Sequence, residues 1–284
     1  MKSLFILCPL LLMVYAGQAQ IMGISASKLS AFNTFPVPHK VAEFEPTFGL
    51  NRSSGLWNRG GFIGSDTISV AGSINWRLTY GLLEDLELGL NVLSDASYGN
   101  FSVKAKIYEQ GDLSLGAMAG VGMPLGNRTY AHSDPTINDV SNYVAGLIVS
   151  YNMDTLTSVD FNVQYQDYFR DVVESVIIDA GPFSSPQEFK RRLTGSTIFI
   201  NADVGSYVID DKIQLLLGGG YQSTVIDNLG GLSDYWTTNL FLEGGVSVEV
   251  AEHFIIVLGI AHSIWGKNSQ KTTSIGLAFT TIWD

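Results

Sequence analysis

Thr272-Thr273-Ser274-Ile275-Gly276-Leu277-Ala278-Phe279-Thr280-Thr281-Ile282-Trp283 stands one residue before the end of the chain. Successive side chains of a strand point to opposite faces. Ile275, Leu277, Phe279, Thr281 and Trp283 therefore share one face, and Thr272, Ser274, Gly276, Ala278 and Thr280 share the other. A greasy face set against a small and polar one, closing on an aromatic, is the pattern of a strand with lipid on one side and a lumen on the other.

The same pattern recurs backwards through the chain. In 67–80, Ile68, Val70, Ile74, Trp76, Leu78 and Tyr80 oppose Ser69, Ser73, Asn75, Arg77 and Thr79. Further runs are read at 86–93, 101–107, 113–123, 140–151, 156–168, 194–208, 213–223, 236–249 and 254–264. A less regular run at 42–50 contains Pro46, which suits a strand end or an irregular first strand. The total of twelve is even, as single-chain bacterial barrels require. The fold class expected is all-β: an antiparallel transmembrane β-barrel of the outer-membrane type.

Connection lengths support the count. If the last strand descends to the periplasm, the turns near 81–85, 109–112, 152–155, 209–212 and 250–253 are periplasmic, and all are short. The four longest links, near 51–66, 124–139, 169–193 and 224–235, then all fall outside, the asymmetry that such barrels show. Tyr80, Tyr151 and Trp283 mark one rim of the lipid face, and Tyr143, Tyr165, Tyr221 and Trp236 the other, as interfacial aromatics do.

Bulk properties agree. The chain is 46% hydrophobic, with 30 glycines and only 15% charged residues, yet no segment after the N-terminus holds the ~20 consecutive apolar residues of a membrane helix. Lys2, the apolar stretch Leu4–Tyr15 and the small residues up to Ala19 read as a secretory signal peptide over 1–19. Cys8, the one cysteine, lies within it, so the expected mature chain carries no thiol. Residues 20–41 are expected to be an N-terminal periplasmic segment or a small plug, and 42–284 the barrel.

Twelve strands enclose more space than eight strands' side chains can fill, so the lumen decides the function. Alternation directs Asn75, Arg77, Glu87, Lys104, Lys106, Asp160, Asn162, Gln164, Asp203 and Glu243 inward. The bases belong to early strands and Asp160, Asp203 and Glu243 to later ones. Two readings follow: opposed walls that select small polar permeants, or a salt-bridge network that holds the barrel shut. Gly116, Met118, Gly120, Gly122, Leu216, Gly218 and Gly220 form a less polar sector, where glycine either leaves room for a ligand or permits close packing. The connection 169–192 is apolar at Val172, Val173, Val176, Ile177 and Ile178. It is expected either as a gate over or inside the mouth, or as an extension of its two strands.

No catalytic constellation emerges. His262 and Ser263 are adjacent and face opposite sides of a strand, and His132-Ser133-Asp134 are neighbours in sequence rather than in triad geometry. No metal-ligand spacing and no phosphate loop is present, so no cofactor is called for. The bases expected outside (Arg128, Arg170, Lys190, Arg191, Arg192, Lys267, Lys271) match lipopolysaccharide phosphates in charge.

Arg77-Leu78-Thr79-Tyr80-Gly81-Leu82-Leu83-Glu84-Asp85-Leu86-Glu87-Leu88-Gly89 resembles the R-x-x-Y-G-L-T-D-x-L-E-L-G hairpin of the MetA-pathway-of-phenol-degradation family of outer-membrane transport-like barrels. Leu83 and Glu84 replace the threonine–aspartate pair. The resemblance implies a channel for small hydrophobic or aromatic compounds. The functions expected are passive passage through the lumen or, alternatively, a non-conducting structural or binding barrel, with an outer-membrane enzyme as a third possibility. The partners expected are outer-membrane lipid and lipopolysaccharide, a small permeant and the barrel assembly machinery, with no nucleic acid.

Overall fold

The computed structural model describes residues 29–65, 69–94, 96–125, 141–178, 185–209, 212–226 and 235–284. The signal-peptide segment, Arg128 and His132 lie outside these residues. The strands are β1 (Ala42–Trp57), β2 (Ile63–Ser65), β3 (Ser69–Leu83), β4 (Leu86–Leu93), β5 (Tyr98–Gln110), β6 (Leu113–Pro124) and β7 (Ser141–Asn152). They continue with β8 (Thr157–Ile178), β9 (Ser185–Ile209), β10 (Ile213–Ile226), β11 (Tyr235–Ala251), β12 (Phe254–Lys267) and β13 (Gln270–Trp283).

Each long strand pairs antiparallel with its sequence neighbours, and β13 returns to β1, so the sheet closes. The short β2 pairs only with the outer end of β1, which leaves twelve strands in the barrel wall. Closure removes the unpaired strand edges that hydrocarbon cannot solvate. Ala42 meets both Trp283 and Tyr80, so the first and last barrel residues lie at the same rim.

In the seam between β1 and β13 the register runs unshifted from Phe44↔Thr281 to Thr47↔Ala278, across Pro46, which has no N–H to donate, and it shifts farther along, between Ser53 and Gly55. On the lipid side, Phe44 stacks across the seam on Trp283 at 6.1 Å and on Trp76 of β3 at 5.9 Å. On the lumen side, the Thr280 hydroxyl donates to Glu45 at 2.6 Å. Pro46 is thus accommodated well inside β1, which runs on to Trp57 rather than ending near 50.

Inside and outside divide as alternation requires. Large apolar side chains such as Leu78, Leu88, Leu147, Leu217 and Ile275 are exposed outward, where lipid covers them, while Asn75, Arg77, Glu87, Lys104, Asp160, Asn162, Gln164 and Asp203 are buried. The rim aromatics Tyr80, Tyr143, Tyr151, Tyr165, Trp236 and Trp283 also face outward, and Tyr221 is half-buried.

The connection expected at 169–192 is a paired arm. β8 and β9 run 22 and 25 residues, roughly twice the 9–11 residues that span a bilayer. Their ladder continues from Phe169↔Thr194 to Ile178↔Ser185. Val172, Val173, Val176, Ile177 and Ile178 pair with Arg191, Lys190, Gln187, Pro186 and Ser185. An irregular loop folded into the lumen is therefore not what the backbone forms. Strand-pairing satisfies its N–H and C=O groups, which an apolar loop could not do alone.

Candidate functional site: the occupied side of the lumen

Residues 29–38 have no regular secondary structure, yet Ser30, Ala31, Phe32, Thr34 and Val37 are as buried as any residue in the protein. This segment enters at the rim of the β3–β4 turn. There Lys40 N–H donates to the Gly81 carbonyl at 2.8 Å, Gly81 N–H donates to Val41 O at 2.9 Å, and the His39 ring lies 2.9 Å from Leu82 O. It then follows the inner wall strand by strand.

Val37 N–H donates to Glu87 of β4 at 2.8 Å, and Lys104 of β5 donates to Phe35 O at 2.8 Å and Asn33 Oδ1 at 3.2 Å. Thr34 N–H donates to Ser150 of β7 at 3.0 Å, and its hydroxyl bonds Ser114 of β6. Phe32 N–H reaches Asn162 of β8 at 3.2 Å. Asp203 of β9 accepts from Ala31 N–H at 2.7 Å and Leu29 N–H at 3.0 Å, while the Ser30 hydroxyl bonds Glu243 of β11. The inward polar side chains supply the partners that a buried, unpaired backbone must otherwise lack. Pro36 and Pro38 reduce the demand, having no N–H.

Apolar contact adds to this. Phe32 packs with Met118, Val144 and Ile148 in the one buried hydrophobic cluster among the described residues. The low-polarity sector read around Met118 therefore receives a phenyl ring from the chain itself. The inward glycines make room for close approach. A Cβ at Gly81 would stand 1.9 Å from the Pro38 carbonyl oxygen, and one at Gly218 would stand 1.9 Å from Asp203 Oδ1.

The charged residues find partners nearby. Arg77 pairs with Glu45 at 2.7 Å, and Lys104 with Glu87 at 3.3 Å, both pairs well buried. Glu87, Asn33 and Phe35 offer three acceptors to the three N–H bonds of the Lys104 ammonium. Asp203 and Glu243 turn to the inserted segment. Lys106 lies toward the rim, paired with Glu109 at 2.7 Å and Asp85 at 3.1 Å, with its ammonium over the Phe35 ring of the inserted segment. Asp160, Asn162 and Gln164 line β8 in register with Asp203, Asn201 and Phe199. Sequence reading missed Glu45, the seam residue that joins Arg77 and Thr280; its place beside Pro46 obscured the alternation.

Among the described residues the segment follows β4 to β11, and a cavity of about 560 Å³ lies between it and the walls of β1, β3 and β9–β13. Glu43, Glu45, Asn75 and Arg77 line one flank, and Val257, Ala261 and Ala278 the other. A Cβ added at Gly276, also on this wall, would meet nothing within 4 Å.

Comparison with solved structures returns the same architecture. The COG4313 outer membrane channel from Pseudomonas putida F1 shares 14% identity, with 90% of this chain and all of that one covered at a TM-score of 0.64. The Ralstonia pickettii toluene transporter TbuX shares 9% identity over 93% and 97% of the two chains, at a TM-score of 0.45. No family model and no curated protein matches the chain. The first likeness shows a common fold: this chain is built as an outer-membrane β-barrel.

Proposed function

We propose that the protein resides in the outer membrane and is a passive channel for small molecules, narrowed from within by residues 29–38. The observation that carries this reading is the uneven filling of the lumen. One side is occupied by a segment bonded to side chains of seven strands, β4 to β9 and β11, while the other keeps a cavity lined by small residues and acceptors. A barrel built only as a scaffold has no need of that space. The apolar flank of Val257, Ala261 and Ala278 supports hydrophobic or aromatic permeants, the class that the hairpin resemblance implies.

At the external rim, the ammonium of Lys267 lies over Trp265 at 5.4 Å and that of Lys271 over Trp57 at 5.8 Å. Lipopolysaccharide phosphates are proposed as the partner of these two bases, on the ground of their charge. The test of the channel is single-channel conductance of the refolded protein in a planar bilayer. Steady small conductance is expected. Gly276→Trp, which puts an indole into open space, should reduce it several-fold without loss of the folded barrel. Silence in the unaltered protein, or a Gly276→Trp trace identical to it, would remove the reading.

A further inference from the structure

The open side of the lumen carries an ordered set of acceptors. Along β1 and β3, Glu43 stands opposite Thr79, Glu45 opposite Arg77, and Thr47 opposite Asn75. These levels are two residues apart, hence roughly 6.6 Å each at the strand rise. All three acceptor residues, Glu43, Glu45 and Asn75, line the cavity.

Their states of satisfaction differ. Glu45 is engaged by Arg77 and Thr280, which neutralises the one base on the cavity wall. Glu43 accepts only from the Thr79 hydroxyl at 3.3 Å, and no described basic side chain stands within ion-pair distance of it. Asn75 is 6% exposed, and its side-chain carbonyl oxygen has no partner among the described residues. Leaving a buried acceptor unmet is costly. A buried acceptor without a partner in a residue of the cavity wall, with a carboxylate that has no ion-pair partner among the described residues two levels along, calls for a ligand that donates. An anion would meet two carboxylates and a single base, Arg77, whose charge is already paired with Glu45.

We propose that this side of the lumen binds a small organic cation with N–H donors and a compact hydrocarbon body, a primary ammonium being the simplest. The inference rests on the open side being the passage. Asn75 receives the ammonium first, and Glu43 holds it nearer the β3–β4 rim. Val257, Ala261 and Ala278 cover the hydrocarbon part. Several sites of moderate strength in series also suit conduction, because a permeant must leave as readily as it enters.

The test is calorimetric titration of the refolded full-length protein in detergent, with empty micelles subtracted. The probes are benzylammonium, benzyl alcohol and benzoate, three ligands of one shape and three charges. Benzylammonium is expected to bind roughly tenfold more tightly than either of the others, the scale of one charge-assisted hydrogen bond. Glu43→Gln should remove most of that preference, and Asn75→Leu should weaken benzylammonium several-fold. Heat-modifiable migration of each variant verifies the barrel. Equal binding of the three probes, no binding of benzylammonium, or a folded Glu43→Gln variant with unchanged preference would overturn the inference. Conductance on the same preparations separates the two claims. Binding without conductance removes the channel and leaves the site. Conductance with binding blind to charge leaves the channel and removes the site.

Discussion

Asp203→Ala tests whether the inserted segment is held by the wall or merely rests there. Asp203 accepts from the backbone N–H groups of Ala31 and Leu29 at 2.7 and 3.0 Å, with the Ser30 hydroxyl a further 3.4 Å contact. Hydrogen bonds to a charged group contribute about 1.5–3 kcal/mol each, so two amount to about 3–6 kcal/mol. The lower end applies, since water in the lumen can take up the freed N–H groups. At about 1.4 kcal/mol per decade, loss of ~3 kcal/mol raises the ratio of withdrawn to inserted segment by roughly two orders of magnitude. Bilayer recordings of Asp203→Ala should therefore show long visits to a higher conductance level that the unaltered protein rarely reaches. Asp154→Ala, in an exposed turn far from the segment, is the control. A folded Asp203→Ala barrel with dwell times identical to the control would refute the reasoning, because the segment's position would then not depend on its strongest anchor.

Gly81→Ala should release the same segment from its other end. The added methyl would lie 1.9 Å from the Pro38 carbonyl oxygen and 2.4 Å from that of Val37, so the backbone must move apart; trypsin or proteinase K cleavage within 29–41 should become faster while the barrel band stays intact. Lys104→Met should cost the barrel about 3–5 kcal/mol in urea unfolding from liposomes, since it takes the ammonium away from the buried Glu87, and Lys104→Met with Glu87→Gln should recover much of it. In the β7–β8 turn, the Leu156 and Thr157 N–H groups donate to Asp154 at 2.8 and 2.6 Å and hold its carboxyl below the usual carboxylate range. A lowered folded pKa gives a contribution that is complete above the unfolded value and fades as pH falls through the folded one. Amide exchange at Leu156 and Thr157 should accordingly quicken at acid pH in the unaltered protein, beyond the intrinsic trend, and not in Asp154→Ala.

The wall was legible because a membrane barrel imposes one constraint on every residue. Lipid outside and polar contents inside force a period of two, and strands with interrupted alternation are the ones the reading placed less well. Pro46 hid the inward role of Glu45, and β1 continues to Trp57 because it still pairs with β13 beyond the expected end, at Leu56↔Gln270. The arm of β8 and β9 was ambiguous for a related reason: above the membrane no lipid fixes which face is apolar, so Val172–Ile178 carries no decisive period. The inward placement of Asn75, Arg77, Glu87, Lys104, Asp160, Asn162, Gln164 and Asp203 followed from alternation alone. What each one touches did not.

The sequence offered 20–41 as a periplasmic segment or a small plug, and the course of 29–38 along the wall was hidden by the nature of its bonding. A strand announces itself because its partners are backbone, and the pattern of its own side chains records which side is buried. Here the backbone of Leu29, Ala31, Phe32, Thr34 and Val37 is satisfied by side chains up to 174 positions away. The information therefore lies in the receiving strands rather than in the segment. It was present there as a surplus: more inward carboxylates and amides than inward bases, facing glycines too small to meet them. Wall side chains with nothing to bond across the lumen require either water or another chain, and Phe32, Val37 and the two prolines make a segment that can replace water. The same logic applied to the unfilled side gives the opposite result. There the acceptors Asn75 and Glu43 remain, small residues face them, and among the described residues only the Thr79 hydroxyl reaches Glu43. A lumen that fills one side with its own chain and keeps a cavity on the other, with Asn75 and Glu43 in its wall, is arranged for a visitor that brings donors.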